Sequence, residues 1–449
     1  MGVQQELSAD KRPLRPEQLG VAPSAAPIGS VITCGGHVNA KRLFQSKGQI
    51  MDPAAKAGLS VRRNISNGRL RSPFQSGDTG STGKLPFLPV PTAIVYCEGN
   101  FAENDGKTAN GLVRHSEAYR ILSVIDSGHH GSDSGQILDG GFNRIPIFGS
   151  LDAAIAHQST VPDTLIYGMA PSNGKLAGED RRVVLEAISR GMNIVSGLHE
   201  YLSEDPEIIA AAKSWNVTVR DIRKPKLSKD MRLFDGSIAR VKAIRIAILG
   251  TDCAIGKRTT ATLLARALNA QGIKTVLVGT GQTGLMQGAR YGVAMDAVPP
   301  QFCCGELEGA VLAAYESEQP DVILIEGQGA LSHPAFCTSA FILRGSQPDA
   351  VILQHAPARA HRCDFPEMAM PDPSDEIALI EAFSDTKVIG VTLNHEGLTD
   401  AGINAAIRDH ARKLDLPVSD ALSCPPAHLA ELVLSAYPQL RPVPGKAAL

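Results

Sequence analysis

The segment Gly250-Thr-Asp-Cys-Ala-Ile-Gly-Lys-Arg-Thr-Thr260 limits what this chain can fold into more than any other. It lies between the continuous apolar run IRIAIL, from Ile244, and the helical pattern TTATLLARALNA. A buried strand that turns directly into a helix leaves the first helical amides unpaired at the carboxyl edge of a sheet. Glycines at 250 and 256 let successive N–H groups turn toward one anion, and the helix dipole adds its positive end. Lys257 contributes a point charge, and Thr259 or Thr260 can bond a phosphate oxygen or a Mg²⁺ ion. The spacing departs from the common G-x-x-x-x-G-K-[ST]. Five residues separate the glycines, and Arg258 stands where a hydroxyl normally follows the lysine. The segment is read as an anion cradle formed by Gly250, Thr251, Asp252, Ala254, Gly256, Lys257, Arg258, Thr259 and Thr260.

The cradle belongs to an α/β domain expected over residues 243–449. Its strands are IRIAIL, KTVLVG, DVILIEG, AVILQHA and KVIGVTLN, separated by helical patterns such as GELEGAVLAAY. A second α/β domain is expected over 89–222. There the apolar runs AIVYC, ILSVID, IPIF, DTLIY, MNIVSG and VTVRDI alternate with helices such as RRVVLEAISRG and PEIIAAAKSW. Continuous apolar strands alternating with helices imply a parallel sheet covered on both faces, hence a Rossmann-like domain. It lacks G-x-G-x-x-G, which argues against a nicotinamide site. Residues 223–242 read as a connector with a solvated, charged surface. Residues 1–88, rich in Pro, Gly, Ser and Arg without sustained periodicity, read as a poorly structured extension.

In 449 residues, acidic and basic groups nearly cancel to a net charge of -2. Nothing in that balance attracts nucleic acid or an anionic membrane, so an anionic ligand needs a local site. No apolar run approaches the ~18 residues of a membrane span, and the first residues do not read as a basic-then-apolar signal segment. Eight cysteines without a C-x-x-C pair read as reduced thiols in a cytoplasm. A small-molecule substrate and a homo-oligomeric state are the expectations.

Other polar groups gather at strand ends. Glu326-Gly-Gln-Gly329 closes the strand DVILI, where nucleotide-binding α/β proteins present an acid, and Asn394 closes KVIGVTL. The GTD-x-x-x-GK loop, the EG-x-G strand end and this Asn are similar to the dethiobiotin-synthetase-like branch of phosphate-loop proteins. Gly279-Thr-Gly-Gln-Thr-Gly284 follows KTVLV and suits either a close ligand approach or a tight turn, with Gly281, Gln282 and Thr283 as candidates. In the first domain Glu98, Asn100, Asp105, Lys107 and Thr108 crowd the first strand-to-helix loop, and His199 lies beyond MNIVSG. His129-His130 near Asp126 is a weak metal signal, and no metal site is assigned.

Several segments together carry a family resemblance: AIVYCEGNF with DGKTANGLVRHSE, IYGMAPSNGKL, GMNIVSGLHE, GTDCAIGKRTTA, VGTGQTGLMQGARYG, LIEGQGALSHPA and QHAPAR. Residues 90–440 resemble the family that includes the DgcN-type D-glutamate N-acetyltransferases, formerly a domain of unknown function that joins a Rossmann-like domain to a P-loop NTPase-like domain. The resemblance implies acetyl transfer from acetyl-CoA to the amine of an acidic amino acid, with D-glutamate the leading acceptor. Under it, Glu326 and His333 are candidates for base and orienting group, and the amides of Gly327 and Gly329 for oxyanion donors. Arg359, Arg258 or Lys107 would hold a substrate carboxylate, Gln328 would touch substrate, and the cradle with Asn394 would hold the cofactor. Two other readings stand beside it: an ATP- and Mg²⁺-dependent ligase or kinase, and a nucleotide sensor without turnover.

Overall fold

Two parallel sheets, each wrapped by helices, make up the computed structural model, which describes residues 90–441 apart from 172 and 364. The extension expected over 1–88 lies outside the described residues. All described residues fall within one compact unit.

The first sheet contains β1 (Thr92–Tyr96), β2 (Arg120–Ile125), β3 (Ile147–Phe148), β4 (Thr164–Tyr167), β5 (Asn193–Ser196) and β6 (Val219–Asp221). Their spatial order is β3-β2-β1-β4-β5-β6, with every pair parallel. The order reverses between β1 and β4, the switch point where such sheets open a crevice. Two tyrosines from these strands, Tyr96 and Tyr167, each donate to a buried Asp180 carboxylate oxygen at 2.7 Å. Those bonds fix the helix Gly178–Ser189 against the sheet.

Local sequence explains the helices well. Asp205 accepts from the amides of Glu207 and Ile208, and Pro206 supplies a preset first helical residue. The helix Pro206–Trp215 then ends at Asn216, whose φ of 52° is the left-handed turn a C-cap needs.

The second sheet contains β7 (Ile244–Gly250), β8 (Thr275–Gly279), β9 (Tyr291–Gly292), β10 (Val322–Glu326), β11 (Ala350–His355), β14 (Lys387–Leu393) and β15 (Val418–Asp420). Between β11 and β14 the short antiparallel pair β12 (His361–Arg362) and β13 (Phe365–Ala369) forms a hairpin. The order β15-β14-β11-β7-β10-β8-β9 puts the cradle strand β7 at the centre, between β10 and β11. All five residues of β10 and all six of β11 are buried, as the uninterrupted apolar runs require.

The charges of the connector are not all solvated, contrary to the sequence expectation. Arg223 is buried, pairs with Asp296 at 2.8 Å and donates to the Gly197 carbonyl. Arg232 reaches the fully buried Glu308, which also accepts from the Ile238 and Asp235 amides. Charge density alone gave no sign that acids on later elements would neutralise these groups. Among the described residues no helix is long and apolar enough to cross a membrane.

Candidate active site

The loop from Gly250 to Lys257 closes tightly over the end of β7. Ala254 has φ 50° and Gly256 has φ 98°, so the chain curls with two left-handed residues close together. Such a curl points neighbouring amides inward and makes an anion-binding concavity. An alanine held there costs roughly 1 kcal/mol, strain of a kind that clusters at functional loops.

The loop is braced from behind. Thr251 Oγ1 bonds His355 Nδ1 at 3.0 Å, and Thr260 Oγ1 donates to Gln354 Oε1 at 2.6 Å. Asn394 Nδ2 donates to the Ile255 carbonyl at 3.1 Å. These contacts correct two expectations. The Thr260 hydroxyl is committed to Gln354, and Asn394 anchors the loop itself. Thr259 is half-buried and free of side-chain hydrogen bonds among the described residues.

Lys257 begins the helix Lys257–Ala270 and is buried, its ammonium donating to the Asp252 carbonyl. Burial pushes its pKa down, against the pull of Cys253, Asp252 and Glu326. Arg258 turns the other way, toward the first domain, where a Cβ added to Gly111 would come within 2.5 Å of its guanidinium. No hydrogen bond or ion pair holds that guanidinium among the described residues. Its pKa is also lowered by burial, and Glu326 is the leading opposing charge.

Glu326 ends β10 and is 5% exposed. Its Oε2 accepts from the Thr280 amide at 3.0 Å and the Gly281 amide at 3.4 Å, while Thr280 Oγ1 donates to its carbonyl at 2.8 Å. Burial raises its pKa, with Arg258, those amides and Lys257 pulling the other way. A Cβ at Gly284 would displace the Glu326 carboxylate. Gln328 donates to the Thr280 carbonyl, and its amide lies close to Gly281. The buried Gln282 packs against Gly197, and the Thr283 and Thr108 hydroxyls are 2.9 Å apart. Gly281, Gln282, Thr283, Gln328 and Thr108 therefore gather where the two domains meet, beside Glu326 and Arg258.

Other candidates fall elsewhere. His333 is fully buried on the opposite flank of the loop, 3.8 Å from Asp252 Oδ1, stacked on Phe336 and edge-on to Phe365. Its Nδ1 accepts the Ala335 amide hydrogen at 3.2 Å, which puts the proton of the neutral ring on Nε2. Asp252, Cys253 and His333 each present one ligand-type atom within 4.8 Å of the others. Arg359, expected to meet a substrate carboxylate, bonds Asp252 at 3.2 Å, Glu396 at 2.6 Å and the Cys253 and Ala254 carbonyls. It braces the loop.

In the first domain Glu98 holds the Ser127 amide and hydroxyl, and Asn100 bonds the Glu98 carbonyl and Met169 sulfur. Both tie the first strand-to-helix loop to neighbouring loops of the same sheet. Lys107 is exposed at the start of the helix Lys107–Arg114. His199 is half-exposed, 3.9 Å from Asp296, its pKa lowered first by burial and then by Arg223. Asp126, at the end of β2, is taken up by His129 and the Gly99 and Gly128 amides. Sequence reasoning missed Thr280 and Gly111. Thr280 lay inside a segment already marked, whereas Gly111 matters only because Arg258 packs on it from the other domain.

Fold and site together define a two-part α/β protein, with a Rossmann-like sheet docked on a phosphate-loop sheet. Residues 127–225 match the family model described as "Domain of unknown function (DUF1611_N) Rossmann-like domain". Residues 232–430 match "Domain of unknown function (DUF1611_C) P-loop domain". A D-glutamate N-acetyltransferase of Tritonibacter scottomollicae is 33% identical over 263 residues, 57% of this chain and 77% of that protein. A second protein of that name, from Pseudoalteromonas sp, is 33% identical over 265 residues, 58% of this chain and 77% of its own. A crystal structure of a DUF1611 family protein from Anabaena variabilis covers 77% of this chain and 99% of its own, with 29% identity and a TM-score of 0.71. The chain belongs to the DUF1611 family.

Proposed function

We propose that this protein is an N-acetyltransferase that moves the acetyl group of acetyl-CoA to the amine of an acidic amino acid, with D-glutamate the leading acceptor. The observation that carries the reading is Glu326, a buried carboxyl with a raised pKa at the edge of an anion cradle. A carboxylate shifted toward neutrality is a competent general base near neutral pH. The amine nitrogen forms a bond to the acetyl carbon as the carbon–sulfur bond of the thioester breaks. Glu326 takes the amine proton and passes it to the CoA sulfur as that leaves, which restores the carboxylate. Loop amides beside Glu326, with Gly327 and Gly329 among the candidates, would receive the thioester oxygen. The names of the two curated relatives support this choice of chemistry.

A Mg²⁺–ATP reading fits the residues less well. Arg258 replaces the hydroxyl that would hold the metal, Thr260 is committed to Gln354, and Glu326 faces a guanidinium. The cation that such a loop normally borrows is here part of the chain.

The test is calorimetric titration with acetyl-CoA and with ATP–Mg²⁺, followed by an acetylation assay on D- and L-glutamate in EDTA. Acetyl-CoA binding with turnover that survives EDTA supports the reading. Binding of ATP–Mg²⁺ alone would overturn it.

A further inference from the structure

Glu326 lies within the field of two cations carried by consecutive residues. Lys257 points into the cradle, Arg258 points toward Gly111 and Thr283, and both act on the Glu326 carboxylate without forming an ion pair to it. A base works only within hydrogen-bond reach of the proton it takes. If Glu326 takes the amine proton, the acetyl carbon must be beside it. The pantetheine arm of CoA holds the thioester far from the pyrophosphate and the 3′-phosphate, so the small cradle next to Glu326 cannot also seat those phosphates.

We infer that the loop, despite its phosphate-binding form, receives the acceptor: one carboxylate lies on the cradle amides and Lys257, the other on Arg258, and the amine lies against Glu326. The inference rests on the acetyl-transfer reading and adds which ligand each charge serves. An amino dicarboxylate carries two anions and one amine, and the loop with the end of β10 supplies two cations and one carboxylate. Nothing else among the described residues holds Arg258, which leaves its planar fork available for a carboxylate. The backbone of Gly284 packs closely on the Glu326 carboxylate and limits where that side chain can lie. The CoA phosphates are then left to groups outside the cradle.

The test is calorimetric titration of the full chain with acetyl-CoA, glutamate and glutamine of the preferred hand, and inorganic phosphate. Arg258→Ala and the near-isosteric Lys257→Met should each weaken glutamate about 10- to 100-fold, the loss of one charge-assisted contact. Acetyl-CoA affinity should change by less than about threefold. Wild type should prefer glutamate to glutamine by at least about tenfold, and Arg258→Ala should lose most of that preference. Inorganic phosphate should displace glutamate and leave acetyl-CoA bound. The inference is overturned if the variants lose acetyl-CoA, if phosphate competes with acetyl-CoA, or if wild type binds acetyl-CoA but no amino dicarboxylate. Binding of glutamate through both cations without acetylation would sink the acetyl-transfer reading and leave the charge assignment standing.

Discussion

Thr108, at the start of the first domain's first helix, and Thr283, beyond β8 of the second, meet hydroxyl to hydroxyl at 2.9 Å in a buried contact. Thr283→Val should strand the Thr108 hydroxyl and cost about 1–3 kcal/mol, read from denaturant unfolding. The double variant Thr108→Val/Thr283→Val should recover part of that loss, because removing both partners leaves nothing unpaired. Additive losses would show that the bond contributes no coupling.

Glu326 sets the pH response. Its pKa is raised in the folded protein, so activity should climb with pH through a limb above the ordinary glutamate range. Glu326→Gln should remove the limb and slow turnover about 10²- to 10⁴-fold. Stability carries the opposite slope. Between the unfolded value of 4.5 and the raised folded value, the folded chain keeps a proton that the unfolded chain releases. This group therefore costs stability as pH rises through that window, and Glu326→Gln should flatten that part of a stability–pH curve.

His333 should behave differently. Packed on Phe336 and Phe365, it supports the far flank of the loop. His333→Ala is expected to cost roughly 2–3 kcal/mol through lost packing while the acid limb of the rate profile stays where it is. A displaced limb would reinstate His333 as a proton-handling group.

Arg223 offers a test outside the cradle. Arg223→Ala leaves the Asp296 carboxylate without its main partner and the Gly197 carbonyl without a donor. Because Asp296 is partly exposed, the cost should fall near 2–3 kcal/mol, and a thermal melt at two salt concentrations would measure it.

Both sheets were legible in the chain because their strands are continuous apolar runs, and β10 and β11 lie within the segments DVILIEG and AVILQHA. The short β9 and β15 and the β12–β13 hairpin were not legible. They hold two, three or five residues and owe their form to neighbours rather than to pattern. The cradle was readable because its chemistry is local: glycines, a lysine and a helix start in eleven consecutive residues. The partners of its side chains were not. Arg359 looks like a substrate cation in one dimension, and only the fold brings Asp252 and Glu396 to it. Glu326 and His333 are seven positions apart on one loop, yet the strand end and the buried turn send them to opposite flanks.

The Gln287 side-chain amide donates to the carbonyls of Gly111 and His115, and the main-chain carbonyl of Gln287 accepts from the Glu117 and Ala118 amides. One residue of the second half thus bonds four main-chain groups of the first, around the C-terminal end of the helix Lys107–Arg114. Cutting the chain at the connector would expose those groups together with the apolar helix faces around them. The two halves should therefore melt in a single cooperative transition, and neither should be obtainable as a well-behaved fragment.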